Sequence, residues 1–543
     1  MRSSFMSSLA ARLFAVLLLV VVALVALPTL SIWQAWWGLS ANDGDILAQM
    51  GQTVLPDYSL TTLALGVVLG VGVALLGGGS ALLMTLWRFR GQRVLGWALV
   101  LPLAMPAYVV AYAYTDFLQF SGPAQTWLRS TFGWQGALWP DVRSTWGAVA
   151  VFSLTLYPYV YLLARTALSE QGQHMLDAAR LLGASRGRQI RTIALPLARP
   201  ALAAGVALAL METLADYGVS SYFGIQTFTA GIYKAWLAMD NAAVAAQLAT
   251  VLLTLVVALL WWERKAQSRM RFHANKPSRS AAAPALTRGP AAWGLLALGV
   301  LPVLLGFVGP MGILLGTWLS NPVPLDLRVF AGWGGNSLYL AGLTALLAVS
   351  LAWGLAAQQR LARSVWSRTA AHVIGLGYAI PGAVVVVGIL LPTGWLQATA
   401  WGQGLAPWVT TTALGLVWAY LVRFTAVAMQ SMDSGYSRLP RAMDEASRTL
   451  GVTGWQLWRR LHWPLMNRTF WAATLLVFVD VMKELPATLV LRPFDSDTLA
   501  VVTYQLARDE RLGEAALPAL TLVLFGLIPV WLITRQGQGH KSN

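Results

Sequence analysis

The sequence predicts an all-α polytopic membrane protein with about twelve transmembrane helices in two parallel six-helix repeats. Three observations lead to this fold class. The 543 residues are 57% hydrophobic and only 11% charged, whereas soluble domains carry about 25% charged residues. Apolar runs of membrane-spanning length recur along the chain. One polar motif occurs twice, at matching positions of two similar halves, which is typical of an internal duplication.

A spanning helix needs about 20 mainly apolar residues. Such runs lie near residues 12–36, 59–87, 93–117, 145–167, 199–223, 242–262, 291–319, 336–359, 369–392, 411–431, 469–491 and 515–534. The first run continues into SIWQAWW at 31–37 without a small-residue cleavage site. It is therefore interpreted as a retained helix, with a cleaved signal peptide as the alternative.

Basic residues predict the orientation, because short loops rich in arginine and lysine stay cytoplasmic. Loops after the even-numbered runs contain Arg88, Arg90, Arg93, Arg180, Arg186, Arg188, Arg191, Arg360, Arg363, Arg368, Arg438, Arg441, Arg448, Arg459, Arg460 and the basic stretch 263–280. The opposite loops are poor in basic residues and contain Asp43, Asp45, Asp57, Asp141 and Asp326. Both termini are therefore predicted to be cytoplasmic. This topology accounts for the net charge of +16, and the partner that we expect is the lipid bilayer, not a nucleic acid.

Residues 263–290 are polar, basic and rich in Ala, Pro and Ser, which is typical of a flexible linker. They divide the chain into a first six-helix half at 1–262 and a second six-helix half at 291–543. With six helices in each half, both halves insert in the same direction, so the repeat is parallel.

The two halves share a motif in the basic loop between their fourth and fifth runs. The first copy contains Asp177, Ala178, Ala179, Gly183, Ile193, Leu195 and Pro196, and the second contains Glu445, Ala446, Ser447, Gly451, Leu461, Trp463 and Pro464. The spacing within the two copies is identical, so one constant offset, that from Asp177 to Glu445, relates every pair. MPAYVV at 105–110 corresponds to IPGAVV at 380–385, one helix before the loop helix in each half.

The motif predicts a helix–turn–helix on the cytoplasmic side. An acidic residue favours the start of a helix, small residues allow close approach of another protein, and glycine permits a sharp turn. Proline is expected to end the amphipathic segment before the next spanning helix. The alternative is an ordinary amphipathic connector, but two copies in register favour a docking surface.

This pattern resembles the cytoplasmic coupling motif of permease subunits in binding-protein-dependent ABC importers. The resemblance covers both halves, although Asp177 replaces Glu in the first copy and Ser447, Leu461 and Trp463 vary the second. It implies a type I importer permease fold in the bacterial inner membrane. It also implies that two copies of an ATPase subunit dock on Asp177, Ala178, Ala179, Gly183, Pro196, Glu445, Ala446, Ser447, Gly451 and Pro464.

The chain is not expected to be an enzyme or to hold a cofactor. It contains no G-x-x-x-x-G-K-[ST] sequence, and GGGS at 77–80 lacks the phosphate-binding lysine. ATP and Mg are therefore expected on the partner ATPase. GGGS is interpreted as a surface for close helix packing. Cysteine is absent and the five histidines form no ligand pattern, so no high-affinity metal site is predicted.

The helix after each coupling loop contains ionisable residues, which are costly in a membrane unless they face a water-filled path or a partner. The candidate path residues are Glu212, Asp216, Asp480, Lys483 and Glu484. Each acidic pair is spaced i and i+4, which predicts that its two members share a helix face. Pro486 is expected to break the second of these helices. The alternative is internal salt bridges that involve Lys483 and Arg423.

METLADYGVSSYFGIQTFTAGIYKAW at 211–236 and MKELPATLVLRPFDSDTLAVVTYQLA at 482–507 also resemble the corresponding segments of ferric-iron permeases with two fused halves. That resemblance implies Fe(III) delivered by a periplasmic iron-binding protein. Fe(III) prefers oxygen ligands, which the carboxylates, tyrosines and carbonyls offer. Thiamine or another small cation is the alternative cargo, and an anion such as phosphonate is less favoured. In a different class, an ion-gradient-driven carrier would use the four carboxylates as a proton relay.

Overall fold

The computed structural model describes residues 16, 20, 22–37, 41–169, 173–268, 286–320, 326–362, 365–400 and 402–538. Most of the predicted linker, the start of the first predicted run, and Arg363 lie outside these ranges. The longer α-helices are Ala41–Thr53, Leu55–Leu86, Ala107–Leu118, Pro123–Phe132, Thr145–Ala167, Gln173–Leu181, Leu195–Ala215, Ala242–Ser268, Pro290–Val303, Gly309–Ser320, Leu327–Ala362, Val365–Ile374, Gly382–Gln397, Ala413–Ser437, Ala442–Thr449, Trp463–Met482, Leu499–Arg508 and Leu512–Gln538.

Short helical segments join these helices: Ile32–Trp36, Gln92–Ala98, Leu101–Ala104, Arg186–Gln189, Ile190–Ala194, Gly218–Tyr222, Phe228–Tyr233, Lys234–Ala238, Leu304–Val308, Gly377–Ala379, Ala406–Thr411, Gly454–Leu457, Trp458–His462 and Pro486–Leu491. In the described part of the chain, β structure is limited to an isolated bridge between Arg88 and Leu286. The predicted all-α class is confirmed.

Nine helices among the described residues are long and apolar enough to cross a membrane. A tenth span is possible if Gln92–Ala104 and Ala107–Phe132, which are bent by 91° at their junction, count as one. Two shorter apolar helices, Val22–Trp36 and Gly382–Gln397, overlap the first and ninth predicted runs. The polytopic class is confirmed, whereas the count of twelve spans is not confirmed helix by helix.

The corresponding stretches MPAYVV and IPGAVV have the same backbone. In each, a 3-10 turn is followed by extended backbone and then by a new helix. The bend falls at Pro106 (ψ 138°) in the first copy and at Pro381 (ψ 143°) in the second. Proline lacks the amide hydrogen that would continue the helical hydrogen bonds. The shared sequence thus produces the same interruption twice.

The contacts group the chain into two compact units. The unit that we call the N-unit takes its described residues from Ile46–Gly231, Val251–Leu325 and Val502–Asn543. The C-unit takes its described residues from Met1–Asp45, Ile232–Thr250 and Asp326–Val501. Each unit therefore draws segments from both predicted halves. The predicted boundaries at 262 and 290 separate the two sequence repeats, which is a different division from these contact-based units. They stay a prediction.

Glycine allows close helix contacts in the core of the N-unit. A Cβ atom on Gly77 would lie 2.5 Å from the carbonyl oxygen of Tyr157 and 2.7 Å from Cβ of Val160. A Cβ atom on Gly205 would lie 2.6 Å from Cα of Val160. Helices Leu55–Leu86 and Leu195–Ala215 thus both approach helix Thr145–Ala167 closely. At Gly77, the GGGS sequence serves helix packing.

Aromatic rings fill the corresponding part of the C-unit. The ring of Trp353, on helix Leu327–Ala362, stacks on Trp463 at a centroid distance of 5.3 Å and also contacts Trp458 and Phe470. The indole nitrogen of Trp353 donates a hydrogen bond to the Tyr436 hydroxyl, at 3.0 Å. This packing holds the segment after the second coupling motif against a spanning helix.

Candidate functional site

The first motif forms a short helix that ends at a glycine. We call Gln173–Leu181 the first coupling helix. Gly183 has a φ of +74°, its amide donates to the carbonyl of Arg180 at 3.0 Å, and the amide of Ala184 donates to Ala179 at 2.9 Å. This pair of hydrogen bonds is a Schellman motif, which satisfies the last carbonyls of a helix and requires a left-handed residue, usually glycine.

The second motif has the same structure in the C-unit. We call Ala442–Thr449 the second coupling helix. Gly451 has a φ of +78°, its amide donates to Arg448 at 3.0 Å, and the amide of Val452 donates to Ser447 at 2.9 Å. Every one of these positions keeps the offset of the motif from its counterpart in the first copy. The two copies of the motif therefore share their backbone hydrogen bonds as well as their sequence spacing.

A π turn joins each motif to the next spanning helix. The turns are Ile190–Ala194 and Trp458–His462. Pro196 and Pro464 lie in the first turn of the helices that follow, so their missing amide hydrogens coincide with the π-turn interruption of the α-helical hydrogen bonds. The sequence predicts that the amphipathic segment ends at these prolines. In the structure the helical path continues past them, over Arg186–Ala215 in the first copy and Gly454–Met482 in the second.

The motif residues are divided between an exposed and a buried face. Ala178, Glu445 and Ala446 are exposed, Ser447 is half-buried, and Ala179 is buried. Pro196 and Pro464 are exposed. The side chain of Asp177 lies outside the described part of the structure. The exposed members are accessible to a partner protein in both copies.

Large apolar side chains, which the sequence reasoning missed, are also exposed in register on both coupling helices and at the residue after each of them. Leu182 is 87% exposed and Leu450 80%, while Met175 is 53% exposed and Met443 42%. Each pair keeps the offset of the motif, so an alignment of the two loops beyond the motif would have found them. Exposed apolar side chains with polar surroundings mark protein interaction sites.

The candidate path residues lie where a spanning helix breaks. The helix before Asp216 ends at Ala215, and Asp216 itself has extended backbone, with ψ 129°. The helix before Glu484 ends at Met482. The prediction that each acidic pair shares one helix face is therefore wrong, because the second carboxylate of each pair lies beyond the helix end. The break expected near Pro486 is present.

Asp216 and Glu484 instead accept hydrogen bonds from the short helix that follows each break. Oδ1 of Asp216 accepts from the amide of Val219 at 2.8 Å, and Oε1 of Glu484 accepts from the amide of Ala487 at 2.9 Å. The donors and the acceptors of the two bonds are again related by the offset of the motif. A carboxylate in this position satisfies amides that lack a helical partner, so both residues stabilise the local structure.

Glu484 has further partners in the C-unit. Nη1 of Arg423 donates to its Oε1 at 2.9 Å, and Oε2 accepts from the amide and the hydroxyl of Thr488, at 3.0 and 2.7 Å. Both oxygens of this buried carboxylate are thus bonded to protein, and its charge is balanced.

The surroundings of Asp216 in the N-unit are different. The position equivalent to Arg423 is Thr155, and among the described residues no lysine, arginine or histidine forms an ion pair with Asp216. Tyr112, which is 2% exposed, has a buried hydroxyl without a hydrogen-bond partner in the described structure. Its ring lies 4.5 Å from that of Tyr222, and the Tyr504 hydroxyl is 2.8 Å from the Ser221 hydroxyl. Tyr222 and Ser221 belong to the short helix Gly218–Tyr222, whose Val219 amide donates to Asp216.

The other three candidates are half-buried. Glu212 lies one turn before the end of its helix, Asp480 occupies the equivalent position, and Lys483 caps the end of helix Trp463–Met482. Each of the three has an interaction partner within the protein.

Comparison with known proteins shows what this chain is similar to. Residues 66–272 match the model of the binding-protein-dependent transport system inner membrane component. The chain is 26% identical over 491 residues to the Fe(3+)-transport system permease protein FbpB 2 of Haemophilus influenzae, which covers 87% of this chain and 88% of that protein.

Other relatives match over a smaller part of the chain. The sulfate transport system permease protein CysT of Salmonella typhimurium is 29% identical over 208 residues, 37% of this chain and 68% of that protein. The putative 2-aminoethylphosphonate transport system permease protein PhnU of Salmonella choleraesuis is 26% identical over 213 residues, 39% of this chain and 74% of that protein. The resemblance inferred from the coupling motifs is confirmed: the chain is similar to inner-membrane permeases of binding-protein-dependent transport systems, over residues 66–272 for the family model and over 87% of its length for the Fe(3+)-transport permease.

Proposed function

We propose that this chain forms the translocation path of an ABC importer for Fe(III). A periplasmic binding protein delivers the cargo, and two copies of a separate ATPase drive the transport. The observation that carries this proposal is the duplicated coupling structure. Two helices with the same glycine turn, the same π turn and the same exposed Met and Leu offer two equivalent docking surfaces, one for each ATPase copy.

The coupling surfaces explain how ATP hydrolysis would reach the membrane. After its glycine turn, each coupling helix is followed by a continuous helical path that passes through the π turn into the spanning helix ending at Ala215 or Met482. Movement of a docked ATPase would therefore pass across the glycine turn and then along this helical path to the candidate path residues. The path then alternates between the two sides of the membrane as the ATPase pair closes and reopens. The basic loops favour the cytoplasm for both coupling helices and both termini.

Two features support Fe(III) as the cargo. The relative that aligns over most of both chains is named for Fe(3+) transport, whereas the sulfate and phosphonate relatives align over about two fifths of this chain. The Asp216 carboxylate and the hydroxyl oxygens of Ser221 and Tyr222, on the helix that it caps, are hard ligands suited to a hard cation. Since Glu484 is neutralised by Arg423, we assign Asp216 to the path and Glu484 to support of the broken helix.

The test is uptake of radiolabelled Fe(III) into proteoliposomes that contain this chain, its ATPase and the binding protein. A Gly183→Glu plus Gly451→Glu variant should lose uptake, because both turns require a left-handed residue. Gly187→Glu is the matched control, since Gly187 lies in the same loop, has open space around it and lacks a positive φ.

Each outcome decides a separate part of the proposal. Loss of uptake in the double variant alone supports both the importer and the cargo. ATP hydrolysis that responds to the binding protein but moves thiamine instead of iron would refute the cargo. Iron uptake that continues without the ATPase and follows a proton gradient would refute the ATP-driven mechanism.

A further inference from the structure

A buried polar network holds the second coupling helix in the C-unit. Asp444, in the first turn of that helix, accepts from Nε of Arg360 at 2.6 Å and lies 3.0 Å from Nε2 of His462. Nδ1 of His462 lies 3.1 Å from the Tyr436 hydroxyl. The side chains of Arg360 and Asp444 are 8% exposed, and that of His462 is 1% exposed.

One assignment of protons satisfies this network. The Trp353 indole donates to the Tyr436 oxygen, Tyr436 donates to Nδ1 of His462, and Nε2 of His462 donates to Asp444. Arg360 donates to the remaining Asp444 oxygen. A fully connected buried network fixes the relative positions of its members, because breaking one bond leaves a buried polar group unpaired.

The network joins the coupling helix to three spanning helices. Arg360 lies near the end of helix Leu327–Ala362, and its Nη1 donates to the carbonyls of Tyr436 and Leu439, both at 3.0 Å. Those carbonyls belong to the end of helix Ala413–Ser437 and the turn after it. His462 is the last residue of the π turn that leads into helix Trp463–Met482.

Three positions of this network are apolar in the first repeat. The offset of the motif pairs Asp444 with Leu176, His462 with Ala194 and Tyr436 with Leu168. Leu176 is 1% exposed, and Ala194 and Leu168 are fully buried. We call Leu176, Ala194 and Leu168 the first seat. Apolar contacts have no fixed direction, so these three side chains can shift against their neighbours without unpairing a charge. A buried ion pair with oriented hydrogen bonds cannot shift without leaving an uncompensated charge.

We propose that Arg360, Asp444 and His462 are positioning residues that form a rigid linkage between the second coupling helix and the spanning helices. When the second coupling helix moves, the attached spanning helices move with it. The first coupling helix can shift relative to its spanning helices at the apolar first seat. The two ATPase docks are therefore mechanically unequal, and the second dominates the coupling of ATP hydrolysis to transport. This inference rests on the proposed function, because an ATPase must dock on these helices.

The test compares the native chain with an Arg360→Met, Asp444→Leu, His462→Ala variant, which removes all the charges together and copies two residues of the first seat. Because the chain contains no cysteine, Arg448→Cys and Leu338→Cys give a unique pair of spin labels. Both positions are exposed, one on the coupling helix and one on helix Leu327–Ala362. The chain is studied in nanodiscs with its ATPase, with and without ATP and vanadate.

We expect a narrow label distance in the native chain that changes little with nucleotide, and a broader, nucleotide-dependent distance in the triple variant. In proteoliposomes, the triple variant should transport at least about tenfold less cargo per ATP hydrolysed, because the buried ion pair that links the helices is gone. The matched control is Leu176→Met in the first seat, which should transport as much cargo per ATP hydrolysed as the native chain.

Asp444→Asn provides a milder variant if the triple variant does not fold. It keeps the shape of the side chain while Arg360 retains its carbonyl acceptors, so we expect an intermediate fall in cargo per ATP. Equal label distances and equal cargo per ATP in the native and variant chains would overturn the linkage. A native complex that couples hydrolysis to a different cargo, with the expected label result, would overturn only the assignment of Fe(III).

Discussion

Nη1 of Arg423 lies 2.9 Å from Oε1 of Glu484, and both side chains are buried. At the equivalent positions of the other repeat, Thr155 carries no charge and cannot form such an ion pair with Asp216. Two carboxylates with the same cap hydrogen bond therefore differ in charge compensation. This difference separates a supporting residue from a candidate path residue, and it can be tested directly.

Arg423→Leu should destabilise the protein strongly. The substitution leaves the buried Glu484 carboxylate without its cation, and loss of one partner of a buried ion pair typically costs about 3–5 kcal/mol. The measurement is the unfolding transition of the purified protein in detergent. Arg423→Leu combined with Glu484→Gln should recover part of the loss. Asp495→Asn, at an exposed position with a φ of +60° that Asn tolerates, should have little effect; an equal effect would contradict the role of the pair.

Asp216→Asn should reduce uptake much more than it reduces stability. The amide oxygen can still accept from the Val219 amide, so the cap is kept while the charge is lost. We expect a free energy of unfolding within about 1 kcal/mol of that of the native chain, the size of one hydrogen bond. The rate of uptake should be at least about tenfold lower, which corresponds to ~1.4 kcal/mol. Normal uptake by this variant would remove Asp216 from the path.

Two buried tyrosines should respond differently to replacement by phenylalanine. The Tyr112 hydroxyl has no partner among the described residues, so Tyr112→Phe should leave stability unchanged or raise it. The Tyr420 hydroxyl lies 2.6 Å from the Thr488 hydroxyl, so Tyr420→Phe should cost about 1 kcal/mol. The same unfolding assay measures both. Reduced uptake by a stable Tyr112→Phe variant would show that this hydroxyl serves the cargo, whereas a destabilised variant would reveal a structural role.

Gly183→Ala and Gly451→Ala should loosen the ends of the coupling helices. A Cβ atom at either position meets nothing within 4 Å, so the cost comes from the left-handed backbone alone, about 1–2 kcal/mol. Hydrogen exchange of the amides in 173–184 and 442–452 should become faster. Asn at the same positions should be tolerated better, and Gly187→Ala should not change the exchange. Equal protection of these amides from exchange in the Ala and Asn variants would contradict left-handed backbone strain as the cause.

Leu182→Asn plus Leu450→Asn should weaken binding of the ATPase while leaving the fold intact. Both side chains are largely exposed, so the substitution removes few internal contacts. Loss of a central interface side chain often costs about 2 kcal/mol, and we expect the Kd measured by titration of the ATPase to rise at least about tenfold. Leu181→Thr is the matched control, because the second copy has Thr449 at that position. Unchanged binding in the double variant would place the ATPase contact elsewhere.

The sequence by itself determined the features that depend on local pattern. Long apolar runs have few alternatives to spanning helices, because backbone polar groups must be satisfied within the membrane. The glycine turns at Gly183 and Gly451 also follow from the sequence, since a left-handed helix end favours glycine wherever it occurs. The duplicated loop could be recognised from its spacing, and the residues of its motif carry the resemblance to importer permeases.

Tertiary structure decided which polar residues meet. Arg423 and Glu484 are 61 residues apart, and Arg360 and Asp444 are 84 apart, so no helical period relates the members of either pair. The i and i+4 spacing of Glu212 and Asp216 was misleading because the helix ends between them, and the same holds for Asp480 and Glu484. Which charge is compensated, and which coupling helix has a rigid seat, depends on contacts between distant segments. These contacts exist only once the helices have packed, and local sequence pattern does not specify them.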